Sequence, residues 1–263
     1  MNERVALLDV DGTLRVKDAW NPGALELIDD LHRAGIHVAL CSGRTTGSLT
    51  SIVKDIPHVE FLASSSGATV LQRRDGQWHV LQHTPVPRPA VDRALALATE
   101  QGIEVWGFTP REWLIERWSP RSRNEIRHIN DEARTATLAE FADDFGKILL
   151  LPRTQREEAA VRELGRIKGA VVVNSGGDYT DLISESAHET KGGAAILPAL
   201  NAEWDDVISM GDSENDHGML QRAGLAVCMA PLTLEALGEN RDGAIRLNAA
   251  TTEQARELLA RYI

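Results

Sequence analysis

The sequence is poor in cysteine, aromatic residues and positive charge, and it holds no long apolar run. Its two cysteines, Cys41 and Cys228, exclude a disulfide framework and a cysteine-based zinc site. Each lies in an apolar run, at 38–41 and 225–228, and reads as a small buried thiol. The eight histidines show no metal-ligand spacing. Lys and Arg number 28 against 39 Asp and Glu, a net charge of -11, which excludes nucleic acid and anionic membrane as partners. An acidic chain that handles an anion must concentrate positive charge locally, through a metal, a lysine or helix N-termini. No apolar stretch is long enough to span a bilayer, and Met1-Asn2-Glu3-Arg4 leads into a short apolar strand without a signal-peptide core. A cytoplasmic protein is the expectation. What the sequence does have is 43% hydrophobic residues over 263 positions, enough for a substantial core.

Both ends alternate short apolar runs with amphipathic helices, the pattern of a parallel sheet covered on two faces. Strands are expected at 5–8, 38–41, 59–62, 207–210 and 225–229. A helix is expected to start with Asn21 as N-cap and Pro22 at its first position, turn Leu25, Ile28 and Leu31 inward, and stop at Gly35. The last helix opens with Thr251 and Gln254 as a capping box and is expected to bury Ala255, Leu258, Leu259 and Tyr262. The middle differs: Pro85, Pro87 and Pro89 precede a helix carrying Val91, Ala94, Leu95 and Ala98 and ended by Gly102. Strands at 103–106 and 113–115, a polar arginine-rich stretch, a strand at 148–151, a helix near 154–164 and strands at 170–173 and 179–183 follow. The fold class is therefore α/β: a Rossmann-like parallel-sheet core at 1–82 and 188–263, with a smaller α/β module inserted at 83–187.

Asp9-Val10-Asp11-Gly12-Thr13 follows the first buried strand, where ligands bind in an open α/β sheet. Alternation sends both carboxylates the same way, and Gly12 permits a sharp turn. Two acids at a buried strand end repel and call for a cation, although D-x-D-G alone is also an ordinary acidic turn. Gly211-Asp212-Ser213-Glu214-Asn215-Asp216 follows another predicted strand, and alone it reads equally as helix-capping acids. Together the two loops would converge their carboxylates on one cleft, the hard oxygen set of a Mg²⁺ site. Lys191, in Lys191-Gly192-Gly193-Ala194-Ala195, is expected at a helix start against the dipole, as a phosphate-side cation or a surface lysine. Ser42-Gly43-Arg44 offers a hydroxyl and backbone N–H groups to an anion.

In order, DVDGT, CSGR, KGGAA and GDSEND resemble the four signature motifs of the haloacid dehalogenase-like hydrolase superfamily. The late insertion resembles the α/β cap of its Cof-type phosphatase branch. The resemblance spans essentially the whole chain and implies a phosphatase. It makes Asp9 the nucleophile that forms an aspartyl-phosphate, and Asp11 the general acid and base. Mg²⁺ would be held by Asp9, Asp212 and the backbone carbonyl of Asp11, with Asp216 supporting the metal's waters or positioning Lys191. Ser42, Gly43 and Lys191 would bind the phosphoryl group, with Asn215 orienting it. Three departures leave the catalytic groups in place: Ser42 for the usual threonine, Ser66-Gly67 for Asn-Gly, and Ala230-Pro231 for Asn-Ala.

The resemblance also places substrate choice in the cap, making the partner a small phosphorylated metabolite, such as a sugar or sugar-acid phosphate. Trp106, Trp113 and Trp118 read as cap packing or as the lining of a sugar-sized pocket. Arg111, Arg117, Arg121, Arg123 and Arg127, interleaved with Glu112, Glu116 and Glu125, read as a mutually paired, solvated face. The sharper alternative is that one or two of them grip a second anionic group. A phosphomutase, stimulated by a bisphosphate, and a non-catalytic phosphate-binding module are the competing functions.

Overall fold

A computed structural model of the chain describes residues 3–175 and 178–263. Eight strands form the larger sheet, in the spatial order Ile245–Ala249, Leu225–Met229, Val207–Gly211, Arg4–Asp9, Ile36–Cys41, Val59–Ser64, Thr69–Arg74 and Gln77–His83. The first six run parallel, Thr69–Arg74 runs against them, and Gln77–His83 pairs antiparallel to Thr69–Arg74. The central strand shows why the sheet needs two covers. Ala6 and Leu8 enter a core with Leu27, Ile28 and Leu31, while Val5 and Leu7 enter a second with Phe61, Ile196 and Met219. Alternate side chains leave opposite faces of a strand, so every residue of this run is buried against one helix layer or the other. At roughly 1.5–3 kcal/mol per fully buried large aliphatic side chain, this double burial outweighs the strand's lack of polar anchoring.

The second sheet has six strands, ordered Ala133–Thr135, Trp113–Ile115, Glu104–Phe108, Lys147–Leu151, Thr180–Ser184 and Ala170–Asn174. Its pairings are antiparallel except for the first. Helix Arg88–Gln101 covers one face with Ala90, Val91, Ala94 and Leu97, and Gly102 ends it in the left-handed region. This mixed sheet, inserted between the strand ending at His83 and the helix starting at Glu185, is the cap.

Several expectations need correction. The first helix spans Ala24–Arg33 with Gly23 as N-cap. Asn21 instead uses its side-chain N–H to bind the Thr13 carbonyl at 2.9 Å. Leu25 and Tyr262 are exposed, because the apolar face is completed by Ala24 and Leu27 in one helix and by Thr252 in the other. The arginine-rich stretch contains a helix, Pro120–Ile129, started by a Ser119–Ser122 capping box. The core sheet gains a hairpin, Thr69–Arg74 and Gln77–His83, turning at Asp75-Gly76. Cys41 and Cys228 are free and buried, as expected.

Candidate active site

Asp9 is the last residue of its strand and lies in register with Cys41, the residue before Ser42. Asp212 follows Gly211, the end of the strand on the other side. Three neighbouring parallel strands thus deliver Asp9, Ser42 and Asp212 to one carboxyl edge. Gly12, at φ +89°, brings the first loop against the fourth: a Cβ there would lie 2.1 Å from Asp212 Oδ2. The Thr13 hydroxyl donates to Asp212 Oδ1 at 3.4 Å.

Lys191 closes the cluster. Its ammonium donates to Asp9 Oδ1 at 2.9 Å and to Asp216 Oδ1, with all three side chains less than a tenth exposed. It sits at the C-cap of helix Glu185–Thr190, before Gly192 caps the next helix. It therefore stands directly before the Gly193–Leu200 helix, as expected, and also at the end of the preceding helix, where a cation agrees with the dipole. Burial would lower the Lys191 ammonium, but Asp216 and Asp9 offset this and raise it above the ordinary lysine range. Asp216 uses its other oxygen to accept from Asp212 N, Ser213 N and Ser213 Oγ at 3.0–3.1 Å. It clamps the loop as well as the lysine.

Burial and then the charge of Asp216 push the Asp9 carboxyl well above its usual range, with Lys191 pulling the other way. The same two causes raise Asp212 to about 6. One oxygen from each of Asp9, Asp212 and Asp216 lies within 4.8 Å of the others. Asp9 Oδ2 is buried without a hydrogen-bond partner among the described residues. Three carboxylates crowded this closely fit a hard divalent cation and its waters, and the orphaned Asp9 Oδ2 is left to meet a ligand.

The Asp11 carboxylate lies apart from this cluster. Arg44 grips it through Nε at 2.8 Å and Nη2 at 2.7 Å, and Ser42 Oγ approaches at 3.4 Å. The backbone N–H groups beside Ser42 are less available than the sequence implied. Ser42 N donates to Ala63 O at 2.9 Å and Arg44 N to Ser42 Oγ at 3.1 Å. Asn215 lines the cavity that opens above this edge, and its Oδ1 is buried without a partner among the described residues. The Ser66-Gly67 loop places Ser66 on the cavity wall with φ 59°, a costly conformation of the kind found at functional sites.

The profile of haloacid dehalogenase-like hydrolases matches residues 6–236, most of the chain and all four loops. The chain belongs to this family. No curated protein matches the sequence. Among solved structures, the chain is similar to a sugar phosphatase of subclass IIB of this superfamily, with 17% identity, 98% of each chain covered and a TM-score of 0.81. A phosphatase from Bacteroides thetaiotaomicron gives 16% identity, 99% and 95% coverage, and 0.77. A haloacid dehalogenase-like hydrolase from B. subtilis gives 17%, 99% and 100%, and 0.81. These similarities establish the shared fold of core and cap.

In this haloacid dehalogenase-like hydrolase the cap faces the carboxyl edge across a half-open cleft of about 540 Å³. Trp106 and Trp113 are buried, their centroids 5.1 Å apart, and both also line the cavity, so packing and lining coincide. Trp118 is exposed, with Arg123 over its ring. Of Arg111, Arg117, Arg121, Arg123 and Arg127, none lines the cavity, and Arg121 pairs with Asp178. Sequence reasoning missed Lys147 and Asp181, a buried pair on adjacent cap strands with Nζ and Oδ2 3.3 Å apart. Lys147 also donates to the Gly43 carbonyl at 2.8 Å, joining cap to core. A signal existed: each is the one charged residue of its strand, KILLL and TDLIS, and buried ionisable groups cluster at functional sites.

Proposed function

We propose that the chain is a Mg²⁺-dependent phosphatase that hydrolyses a small phosphomonoester, a sugar or sugar-acid phosphate, through an aspartyl-phosphate on Asp9. The observation that carries this reading is the pairing of Asp9 with Lys191 at a strand end shared with Asp212, Ser42 and Asp11. Lys191 holds Asp9 Oδ1, which leaves Oδ2 to attack phosphorus. As the P–O bond to the leaving group breaks, Asp11, in its acid form, gives the departing oxygen its proton. The Asp11 carboxylate then takes a proton from water, whose oxygen attacks phosphorus. The Asp9–phosphorus bond breaks, releasing inorganic phosphate and restoring the carboxylate. Because Arg44 holds Asp11 as an ion pair, entry of substrate has to loosen that fork before Asp11 serves as the acid.

Asp9, Asp212 and the Asp11 carbonyl would hold Mg²⁺, with Asp216 positioning Lys191. The ion neutralises phosphoryl charge when bound. Ser42, the Gly43 N–H and Lys191 would hold the phosphoryl oxygens, and Asn215 would orient them. Segment 83–187 would govern selectivity and keep out bulk water. Asp9→Asn is expected to abolish Mg²⁺-dependent release of phosphate from p-nitrophenyl phosphate. Activity surviving this substitution would sink the mechanism.

A further inference from the structure

Every cation that lines the cavity among the described residues is already matched to a carboxylate. Lys191 lies between Asp9 and Asp216, Arg44 holds Asp11, and Lys147 holds Asp181. Lys147 is committed further by the Gly43 carbonyl and by the Phe108 ring, 4.8 Å from its Nζ. Glu125 lines the same cavity without a close ion pair among the described residues, within electrostatic reach of Arg44, and its Oε2 accepts from the Tyr179 hydroxyl at 2.8 Å. Asp181 is 1% exposed, with one oxygen taken by Lys147 and by Ser175 Oγ at 2.6 Å. Its Oδ1 has no partner among the described residues. Trp113 Nε1, on the aromatic wall built with Trp106 and Phe108, is likewise unmatched.

The cap side of the cavity is therefore lined by two carboxylates against one engaged lysine and by aromatic faces, with the unmatched acceptor and donor buried in the wall behind them. Unmatched buried polar atoms are costly, and hydroxyl groups, being both donor and acceptor, can satisfy both kinds. Aromatic faces suit the C–H face of a ring. A second phosphate or a carboxylate on the leaving group would meet Asp181 and Glu125, while Arg44, once loosened from Asp11, still faces the Glu125 charge; like charges across a desolvated contact are strongly disfavoured. Resting on the phosphatase reading above, we propose that this cavity selects an uncharged, hydroxyl-bearing leaving group and rejects one with a second negative charge, with Asp181 and Glu125 imposing the choice. This narrows the substrate from sugar or sugar-acid phosphates to the monophosphates of neutral sugars and polyols.

The test compares the full chain, with Mg²⁺, on neutral hexose and hexitol monophosphates, the corresponding sugar-acid phosphates, and hexose bisphosphates. The wild type is expected to favour the neutral monophosphates in kcat/KM by about tenfold or more. Glu125→Gln and Asp181→Asn are each expected to narrow that ratio by about fivefold or more, chiefly through KM. Equal or better turnover of the anionic esters by the wild type overturns the proposal, as does a ratio that neither variant moves. Asp181 is buried, so its variant is checked by near-UV circular dichroism; if it misfolds, Glu125→Gln on the partly exposed cap helix and the wild-type ratio still decide. Hydrolysis of p-nitrophenyl phosphate without the neutral preference overturns this proposal alone. Failure to hydrolyse any ester overturns the phosphatase reading beneath it.

Discussion

At Lys191 a single ammonium, 4% exposed, separates two buried carboxylates. Removing one partner from a buried charged cluster costs about 3–5 kcal/mol, because the remaining charges stay behind uncompensated. Lys191→Met is therefore expected to lose both activity and stability, and the stability loss should depend on pH. Asp9 and Asp212 have folded-state values raised above their ordinary 3.8, Asp212 to about 6. The folded chain thus retains protons that the unfolded chain releases, so metal-free stability falls as pH rises from about 4 through about 6. Without Lys191, which pulls the Asp9 carboxyl down, Asp9 holds its proton to still higher pH, which extends the fall to higher pH. Urea unfolding of metal-free protein at pH 5 and pH 7 should show a larger deficit for the variant at pH 7. An equal deficit at both would mean that charge is not the cause.

At the scale of elements, catalysis depends on how closely the loop after Arg4–Asp9 lies on the loop after Val207–Gly211. Gly12 sets that spacing. Alanine there would combine a left-handed φ with a methyl 2.1 Å from Asp212 Oδ2, a conformational cost of about 1–2 kcal/mol plus overlap of similar size. Gly12→Ala is expected to weaken Mg²⁺ binding about tenfold or more, measured by calorimetry, with a smaller loss of unfolding free energy. Unchanged Mg²⁺ affinity would place the cation away from the contact between these loops.

The same strand ends explain what could be read in advance. Runs such as VALL and HVAL are buried on both faces and announce themselves without context, and the acids that follow them are conspicuous. Helix Pro120–Ile129 was obscured because most of its residues are polar or charged, only Ile126 and Ile129 turn inward, and its clearest signal is a Ser119–Ser122 cap. The hairpin at Thr69–His83 was hidden because its outer strand is half exposed and broken by polar residues. Asp11 was legible as a second acid but not its partner Arg44, which arrives from a loop 33 residues away. Lys147 and Asp181 become a pair only when Lys147–Leu151 aligns with Thr180–Ser184. No local pattern contains that pairing.

For the whole molecule, function rests on how the cap sits on the core, and specific contacts hold it there, His83 Nε2 on the Asp144 carbonyl at 3.1 Å among them. Besides Lys147 on the Gly43 carbonyl, Asp131 accepts from the Thr45 hydroxyl, and Asn130 Nδ2 donates to Ser51 Oγ at 2.6 Å. Both cap residues follow helix Pro120–Ile129 and meet the core helix Thr46–Ile52. Gly47, inside that core helix, leaves room for Asp131: a methyl there would come 2.2 Å from Asp131 Oδ1. Alanine should otherwise favour the helix by about 0.5–1 kcal/mol. Gly47→Ala thus sets local stability against domain contact. It is expected to raise or preserve the melting temperature while raising KM several-fold, because Asp131 swings away from Thr45 and the cap docks less firmly. Asp131→Ala should raise KM by a similar factor through the same lost contact. The double variant should then resemble either single one, since both remove one interaction. Additive increases in KM would show that Gly47 and Asp131 act independently and that this contact does not govern docking of the cap.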